Sequence, residues 1–222
     1  MREDLRDRLV CIVLAGSRLY GTDSDSSDYD YRGVYFEKPE ELLGLQRAVT
    51  SKDKEERDTT YYPLRKFFEL CLKGNPNIMD ILFSTAIIQS SSEWERIINA
   101  KELFLSKMVL HSLYGCMHEH EKGLQKEFNY KKASEVVRLL FTIKKLGETG
   151  QLHTTLPQKD LIKSIKYGDP AREFVNVYPA LKMYVRDNFD YFLSMLPDEP
   201  DYEKAEQLLV ELEMKQLKKL RL

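Results

Sequence analysis

Two short groups of residues have the types and the spacing that phosphate and metal chemistry require. Gly16 and Ser17 follow an apolar run, and after ten intervening residues come Asp28 and Asp30. A glycine lets the backbone approach a ligand closely, and free N–H groups at the start of a helix favour a phosphate. Because the serine hydroxyl adds one more donor, Gly16 and Ser17 are predicted to form a phosphate-binding turn.

The two aspartates predict a site for divalent cations. Asp28 and Asp30 lie in residues 28–36, a segment that alternates polar with apolar or aromatic residues and is typical of a strand. Side chains at i and i+2 of a strand share a face, and neighbouring ionised carboxylates repel each other. A pair of Mg²⁺ or Mn²⁺ ions would relieve that repulsion, and Mg²⁺ prefers a few carboxylates together with substrate phosphates.

A third carboxylate, which would complete the metal site, is expected on a neighbouring strand. Asp58 begins another predicted strand, residues 58–62, and is our first choice as metal ligand and general base. Asp53, Glu55 and Glu56 are alternatives, but they lie in an almost wholly charged segment that is typical of an exposed loop.

Apolar periodicity predicts the elements that position these residues. Residues 9–15 read as a buried strand that leads into Gly16, and Pro63 opens an amphipathic helix. The predicted fold is α/β (α+β), with a catalytic lobe of small mixed sheet and flanking helices at residues 1–90 and a helical lobe at residues 91–222 that completes the cleft. The helices of the second lobe are expected at residues 101–126, 130–149, 157–166, 171–195 and 201–220.

The composition limits the classes of protein to consider. The chain has 42% hydrophobic and 32% charged residues. Its 34 basic residues nearly balance its 36 acidic ones, so the overall charge does not indicate electrostatic binding to nucleic acid. No apolar run reaches the roughly eighteen residues of a transmembrane helix. The three cysteines, Cys11, Cys71 and Cys116, are odd in number and far apart, which favours free thiols and a cytoplasmic location.

Several runs of the chain resemble the DNA polymerase β-like nucleotidyltransferase superfamily, and more closely the predicted nucleotidyltransferases of the RNA-ligase-associated (RlaP) type. The resemblance extends over roughly residues 9–180. Glu135 departs from the family pattern, which often has histidine at that position. If that histidine contacts the substrate in relatives, the substrate or the efficiency of this chain is expected to differ. The runs that carry the resemblance are residues 16–22, 27–34, 64–67, 72–77, 131–140 and 149–150.

The resemblance implies transfer of a nucleoside monophosphate from a nucleoside triphosphate to an acceptor, with release of pyrophosphate. Asp28, Asp30 and Asp58 are the expected metal ligands and catalytic residues. The residues expected to contact the nucleotide are Gly16, Ser17, Arg18, Ser27, Lys66, Lys131 and Arg138.

The predicted helix at residues 130–149 leaves two interpretations open. Lys131, Glu135 and Arg138 occupy one face at i, i+4 and i+7. That face either binds phosphates in the cleft or is a solvated surface with a salt bridge. Similarly, Arg18 and Arg32 flank the proposed metal site and either neutralise phosphate charge or are simply exposed.

The acceptor is the least determined part of the hypothesis. RNA, as a tRNA or repair-associated end, is the first candidate, and a protein that receives AMP or another nucleotide is the second. A non-catalytic nucleotide-binding module is a third, although the intact pair of aspartates argues against it. A zinc site at Cys116, His118 and His120 is disfavoured, because helical residues two apart do not share a face.

Overall fold

The N-terminal part of the chain forms a five-stranded mixed sheet in the computed structural model, which describes residues 3–53, 58–168 and 170–220. The strands are β1 (Leu9–Ala15), β2 (Asp30–Tyr35), β3 (Ser51–Asp53), β4 (Asp58–Pro63) and β5 (Ile87–Ser90). Their order across the sheet is β3-β4-β2-β1-β5. The pairing of β2 with β4 is parallel, and the other pairings are antiparallel.

The helices make up most of the later part of the chain. Two 3₁₀ turns, Glu3–Arg8 and Lys101–Phe104, precede β1 and follow α5. The α-helices are α1 (Gly16–Tyr20), α2 (Pro39–Leu43), α3 (Leu64–Leu72), α4 (Pro76–Leu82), α5 (Ser92–Asn99), α6 (Lys107–Lys126), α7 (Tyr130–Thr149), α8 (Lys159–Tyr167), α9 (Pro170–Asp187), α10 (Phe189–Ser194) and α11 (Tyr202–Lys219).

The register of the sheet aligns the residues that sequence reasoning singled out. Ala15 at the end of β1 pairs with Asp30, and Asp30 pairs with Asp58. Because β2 and β4 are parallel, both strands begin at the same edge of the sheet. The Gly16–Ser17 turn and two of the three aspartates therefore meet at that edge.

One face of the sheet is covered by helices. Side chains alternate along a strand, so Asp30, Arg32 and Val34 of β2 share a face. Val34 is fully buried in the main apolar cluster together with Phe67 and Phe68 of α3. Asp30 and Arg32 thus lie between the open edge of the sheet and the helices packed on it.

A single apolar cluster of buried residues extends from β1 through α3, α4 and α6 to α7, α9 and α11. Helix α7 lies at its centre and packs against α6, α8, α9 and α10. Gly147 of α7 is in close contact with Phe192 of α10, since a Cβ on this glycine would lie 2.1 Å from Cγ of the ring. The helical part is therefore built on tight packing around α7.

The predicted fold class is confirmed, but several boundaries were wrong. The second strand begins at Asp30, so Asp28 lies in the preceding loop and not on the strand as predicted. Residues 171–195 are divided into α9 and α10. The charged segment after residue 50 contains β3, and two of the alternative ligands, Glu55 and Glu56, lie outside the described residues.

The division at residues 90 and 91 stays a prediction. The described strands all end by Ser90, but the apolar cluster joins the sheet to the helices that follow. Within the described ranges, no helix combines the length and the apolar character that crossing a membrane requires.

Candidate active site

The turn between β1 and α1 requires a glycine at its first position. Gly16 has a φ of 63°, which an L side chain rarely adopts, and a Cβ there would lie 2.6 Å from Oδ2 of Asp30. Ser17 follows, half-buried, and its hydroxyl has no hydrogen-bond partner within the part of the chain that is described. The turn therefore places the Gly16 backbone directly beside the Asp30 carboxylate, and the next residue offers an available hydroxyl.

The three aspartates differ in how they are held. Asp30 and Asp58 are the first residues of parallel neighbouring strands, whereas Asp28 is exposed in the loop two residues before β2. Carboxylate oxygens are the ligands that Mg²⁺ takes from proteins, so the donor chemistry fits. Within the described residues, however, no three His, Cys, Asp or Glu side chains are grouped closely enough to hold a metal ion. The backbone brings the carboxylates to one edge without gathering their side chains.

Arg18 fixes the loop that carries Asp28. Its Nε donates to the Asp28 carbonyl at 3.2 Å and one terminal nitrogen donates to the Ser27 carbonyl at 2.7 Å. The other terminal nitrogen pairs with Asp23 at 3.1 Å, and the guanidinium lies 3.7 Å from the centroid of the Tyr29 ring. Arg18 thus positions the loop in this structure, and its predicted contact with nucleotide stays a prediction.

Ser27 is also engaged within the loop. Its hydroxyl accepts a hydrogen bond from the Ser24 N–H at 2.9 Å and lies 3.3 Å from the hydroxyl of Tyr167 on α8. Its own N–H donates to the Ser24 carbonyl at 3.0 Å, which closes a turn. The local function of Ser27 is therefore to shape the loop and to connect it with α8.

Arg32 is oriented by the start of α4. Its guanidinium donates to the carbonyl of Asn77 at 2.7 Å and to the Asn77 side-chain oxygen at 3.2 Å. Asn75 caps the same helix by accepting from the Ile78 N–H, and Pro76 occupies its first turn. The Asn-Pro-Asn run thus starts α4 and holds an arginine on the face of β2 that carries Asp30.

A buried polar network links α1 to α4 and α7. The Tyr20 hydroxyl donates to Asp80, and the Arg138 guanidinium lies 3.9 Å from the centroid of the Tyr20 ring. Arg138 is 9% exposed and its Nε donates to Glu135 at 2.8 Å. Burial raises the pKa of Asp80, with Arg138 opposing that effect. Burial alone would lower the pKa of Arg138, but Tyr20, Glu135 and Asp80 raise it, so Arg138 stays charged.

This network was only partly predicted. Arg138 and Glu135 were placed on one helical face, and their ion pair confirms that geometry. Tyr20 and Asp80 were not recognised as partners, although an aspartate between Met79 and Ile81 of an apolar helix was a usable signal. Arg138 contacts Tyr20 at the end of α1 and thus links α7 to the helix that follows the Gly16–Ser17 turn.

Lys66 and Lys131 lie apart from this network. Lys66 pairs with Glu69 at 3.2 Å and lines a cavity of about 470 Å³. It follows the C-terminal end of β4, whereas Asp58 begins that strand, so about 17 Å of strand separates them. The structure therefore does not bring Lys66 to the aspartates. Lys131 is exposed near the start of α7 and has no ion pair with the described residues.

The mixed five-stranded sheet and the helices packed on it are those of a polymerase β-like fold, with a Gly-Ser turn facing an aspartate on the adjacent strand. The chain belongs to the RNA repair pathway DNA polymerase beta family (RlaP), whose family model matches residues 2–181. No curated protein matches the chain. Membership of this family indicates a nucleotidyltransferase, as the sequence motifs predicted.

Proposed function

We propose that the protein transfers a nucleoside monophosphate from a nucleoside triphosphate to an RNA end and releases pyrophosphate. The observation that supports this most directly is the alignment of Ala15, Asp30 and Asp58 across the sheet, with Gly16 against the Asp30 carboxylate. It brings a turn suited to a triphosphate and a pair of carboxylates to one edge.

The turn serves to hold the triphosphate. The Gly16 backbone allows close approach, and the Ser17 hydroxyl donates to a phosphate oxygen. Helix α1 has five residues, so its dipole is small and the individual N–H groups matter more than the helix as a whole. Arg32, held by Asn77, adds positive charge on the Asp30 face of the strand.

The chemical step is attack of an acceptor hydroxyl oxygen on the α-phosphorus. A new P–O bond forms as the bond from that phosphorus to the bridging oxygen breaks, and pyrophosphate leaves with the electron pair. Asp58 accepts the hydroxyl proton as general base. Asp28, Asp30 and Asp58 would hold Mg²⁺ or Mn²⁺, which when bound neutralises triphosphate charge and favours departure of pyrophosphate.

The test is a transfer assay with each α-labelled triphosphate, Mg²⁺ or Mn²⁺, and RNA and protein acceptors in separate reactions. We expect label on RNA from the wild type, and a loss of at least about 100-fold in Asp30→Asn, on the scale of removing a principal electrostatic group. Asp25→Asn, an exposed aspartate of the same loop, is the matched control and should keep full activity.

Three outcomes would contradict the proposal. Label on protein alone would make the acceptor a protein, and the transfer chemistry would then stand without the RNA assignment. An absence of label in every reaction would leave a non-catalytic nucleotide-binding module as the better account. Equal label from the wild type and Asp30→Asn would show that transfer does not depend on Asp30.

A further inference from the structure

The outer surface of α8 carries three lysines on one side of the helix. Lys159, Lys163 and Lys166 are spaced at i, i+4 and i+7 and are called the α8 basic face below. Ile162 and Ile165 are buried on an adjacent side of α8 and attach the helix to the core. None of the three lysines forms an ion pair with the described residues, so their charge is not neutralised by a neighbouring carboxylate.

The α8 basic face lies against the start of the loop that leads to Asp28. The Lys166 ammonium donates to the Thr22 carbonyl at 3.3 Å. A Cβ on Gly21 would lie 3.3 Å from Cδ of Lys159, which places that side chain beside the end of α1. Thr22 in turn donates its N–H to the Ser17 carbonyl at 2.9 Å. Thr22 therefore links Lys166 of the α8 basic face to Ser17 of the phosphate-binding turn.

Exposed aromatic rings accompany these lysines. Tyr167 at the end of α8 is 47% exposed and contacts Ser27 of the loop. Tyr29, between Asp28 and Asp30, is 55% exposed with the Arg18 guanidinium on its ring. Basic side chains interleaved with exposed aromatic rings are the features that bind a single-stranded polynucleotide, since phosphates meet the charges and bases stack on the rings.

A simpler interpretation is that the lysines balance the acidic loop. Asp23, however, is already paired with Arg18, and Asp25 and Asp28 have no ion pair with an α8 lysine. The chain as a whole has a formal net charge of −2, so any attraction for a polyanion must come from a local arrangement of this kind.

We propose that the α8 basic face, with Tyr167 and Tyr29, binds the phosphodiester backbone and bases of a single-stranded RNA acceptor and leads its end to Asp30. The identity of the acceptor rests on the proposed function, whereas the binding surface does not require catalysis. Exposed rings stack on unpaired bases, so a single strand is favoured over a duplex.

The experiment measures binding of a fluorescent single-stranded 12-mer RNA to the full chain by anisotropy over a range of salt concentrations. We expect Lys159→Gln/Lys163→Gln to weaken binding at least tenfold and to reduce the slope of log K against log salt by roughly 1.4, at about 0.7 per phosphate contact. Lys159→Arg/Lys163→Arg keeps the charge and should bind like the wild type.

The matched control is Lys73→Gln/Lys218→Gln, which removes the same charge at two exposed lysines outside α8. An equal loss in this control would show a response to net charge alone and would overturn the proposal. So would an unchanged affinity in the α8 variant, or equal binding of a blunt duplex of the same length.

A parallel titration with ATP tests whether the α8 basic face binds the triphosphate and not the phosphates of RNA. If the α8 variant loses ATP binding but keeps RNA binding, the face serves the triphosphate and the proposal is wrong. If RNA binding depends on α8 in a chain that transfers no nucleotide, this inference is supported and the proposed function fails.

Discussion

Two features favour glycine at position 16. Its φ is 63°, and a Cβ there would lie 2.6 Å from a carboxylate oxygen of Asp30. Gly21, at the other end of α1, shares the first feature with a φ of 70°, but it faces only the flexible Lys159 side chain. Alanine variants of the two glycines therefore distinguish the effect of backbone strain from the effect of displacing Asp30.

We expect Gly16→Ala to lower nucleotide transfer at least tenfold because the new methyl group displaces the Asp30 carboxylate. Gly21→Ala introduces comparable strain, about 1–2 kcal/mol, and should change transfer less than threefold. Transfer rates and thermal unfolding of both variants check this. Equal losses of activity would show that strain in α1, and not the position of Asp30, determines the effect.

Residue types and spacing predicted which residues lie together better than they predicted what each side chain contacts. The spacing of Gly16 and Ser17 from Asp30 was enough to place them together. Nothing in the sequence shows, however, that Arg18 is held by backbone carbonyls or that Arg138 lies on the Tyr20 ring. The partners of Arg18 lie in an irregular loop, and Tyr20 lies far from Arg138 in the chain, so helix and strand periodicity carries no information about either contact.

At the scale of elements, strand and helix types were predicted from periodicity, whereas pairing was not. The parallel pairing of β2 with β4 aligns Asp30 with Asp58, and it depends on the crossover through β3. The exposed edge strand β5 was missed because it has four residues, none of them buried, and hence no apolar alternation. The break between α9 and α10 at Asn188 lacks a glycine or proline signal.

Two helical glycines test the packing around α7. Gly147→Ala should destabilise the protein by about 1–3 kcal/mol, since its methyl group would overlap the Phe192 ring. Gly115→Ala in α6 meets no atom within 4 Å and should stabilise by about 0.5–1 kcal/mol through helix propensity. Denaturant unfolding of both variants measures the difference, and destabilisation of equal size would contradict the packing described for α7 and α10.

At the scale of the whole molecule, α11 connects the end of the described chain to its first half. It lies beyond residue 181, where the family match ends, and packs against α3. Lys215 and Lys219 both pair with Glu93 of α5 at 2.9 Å, and Glu213 is buried. These contacts make α11 part of the core structure and not an appendage.

Because Glu213 is buried, the stability that the packing of α11 provides depends on pH. Burial raises the pKa of Glu213 from 4.5 to about 8, with Glu37 acting in the same direction and Arg65 opposing. The folded state therefore retains a proton that the unfolded state releases, so the stabilisation is complete below pH 4.5 and is lost as the pH rises to about 8.

We expect the melting temperature to fall between pH 5.5 and pH 8.5 by at least about 3 °C, which corresponds to roughly 1 kcal/mol for a chain of this size. Glu213→Gln should remove most of that fall and raise the melting temperature at pH 8.5. Glu206→Gln, on the exposed side of α11, is the control and should retain the wild-type fall. A fall that persists in Glu213→Gln would contradict the assignment.

The most direct test of a metal-dependent nucleotide site at Asp30 is calorimetric titration with a triphosphate that has a non-cleavable α,β linkage, with and without Mg²⁺. We predict binding that requires Mg²⁺ in the wild type and in Asp25→Asn, and loss of that requirement or of binding itself in Asp30→Asn. Binding of equal strength with and without Mg²⁺ in all three proteins would contradict the account.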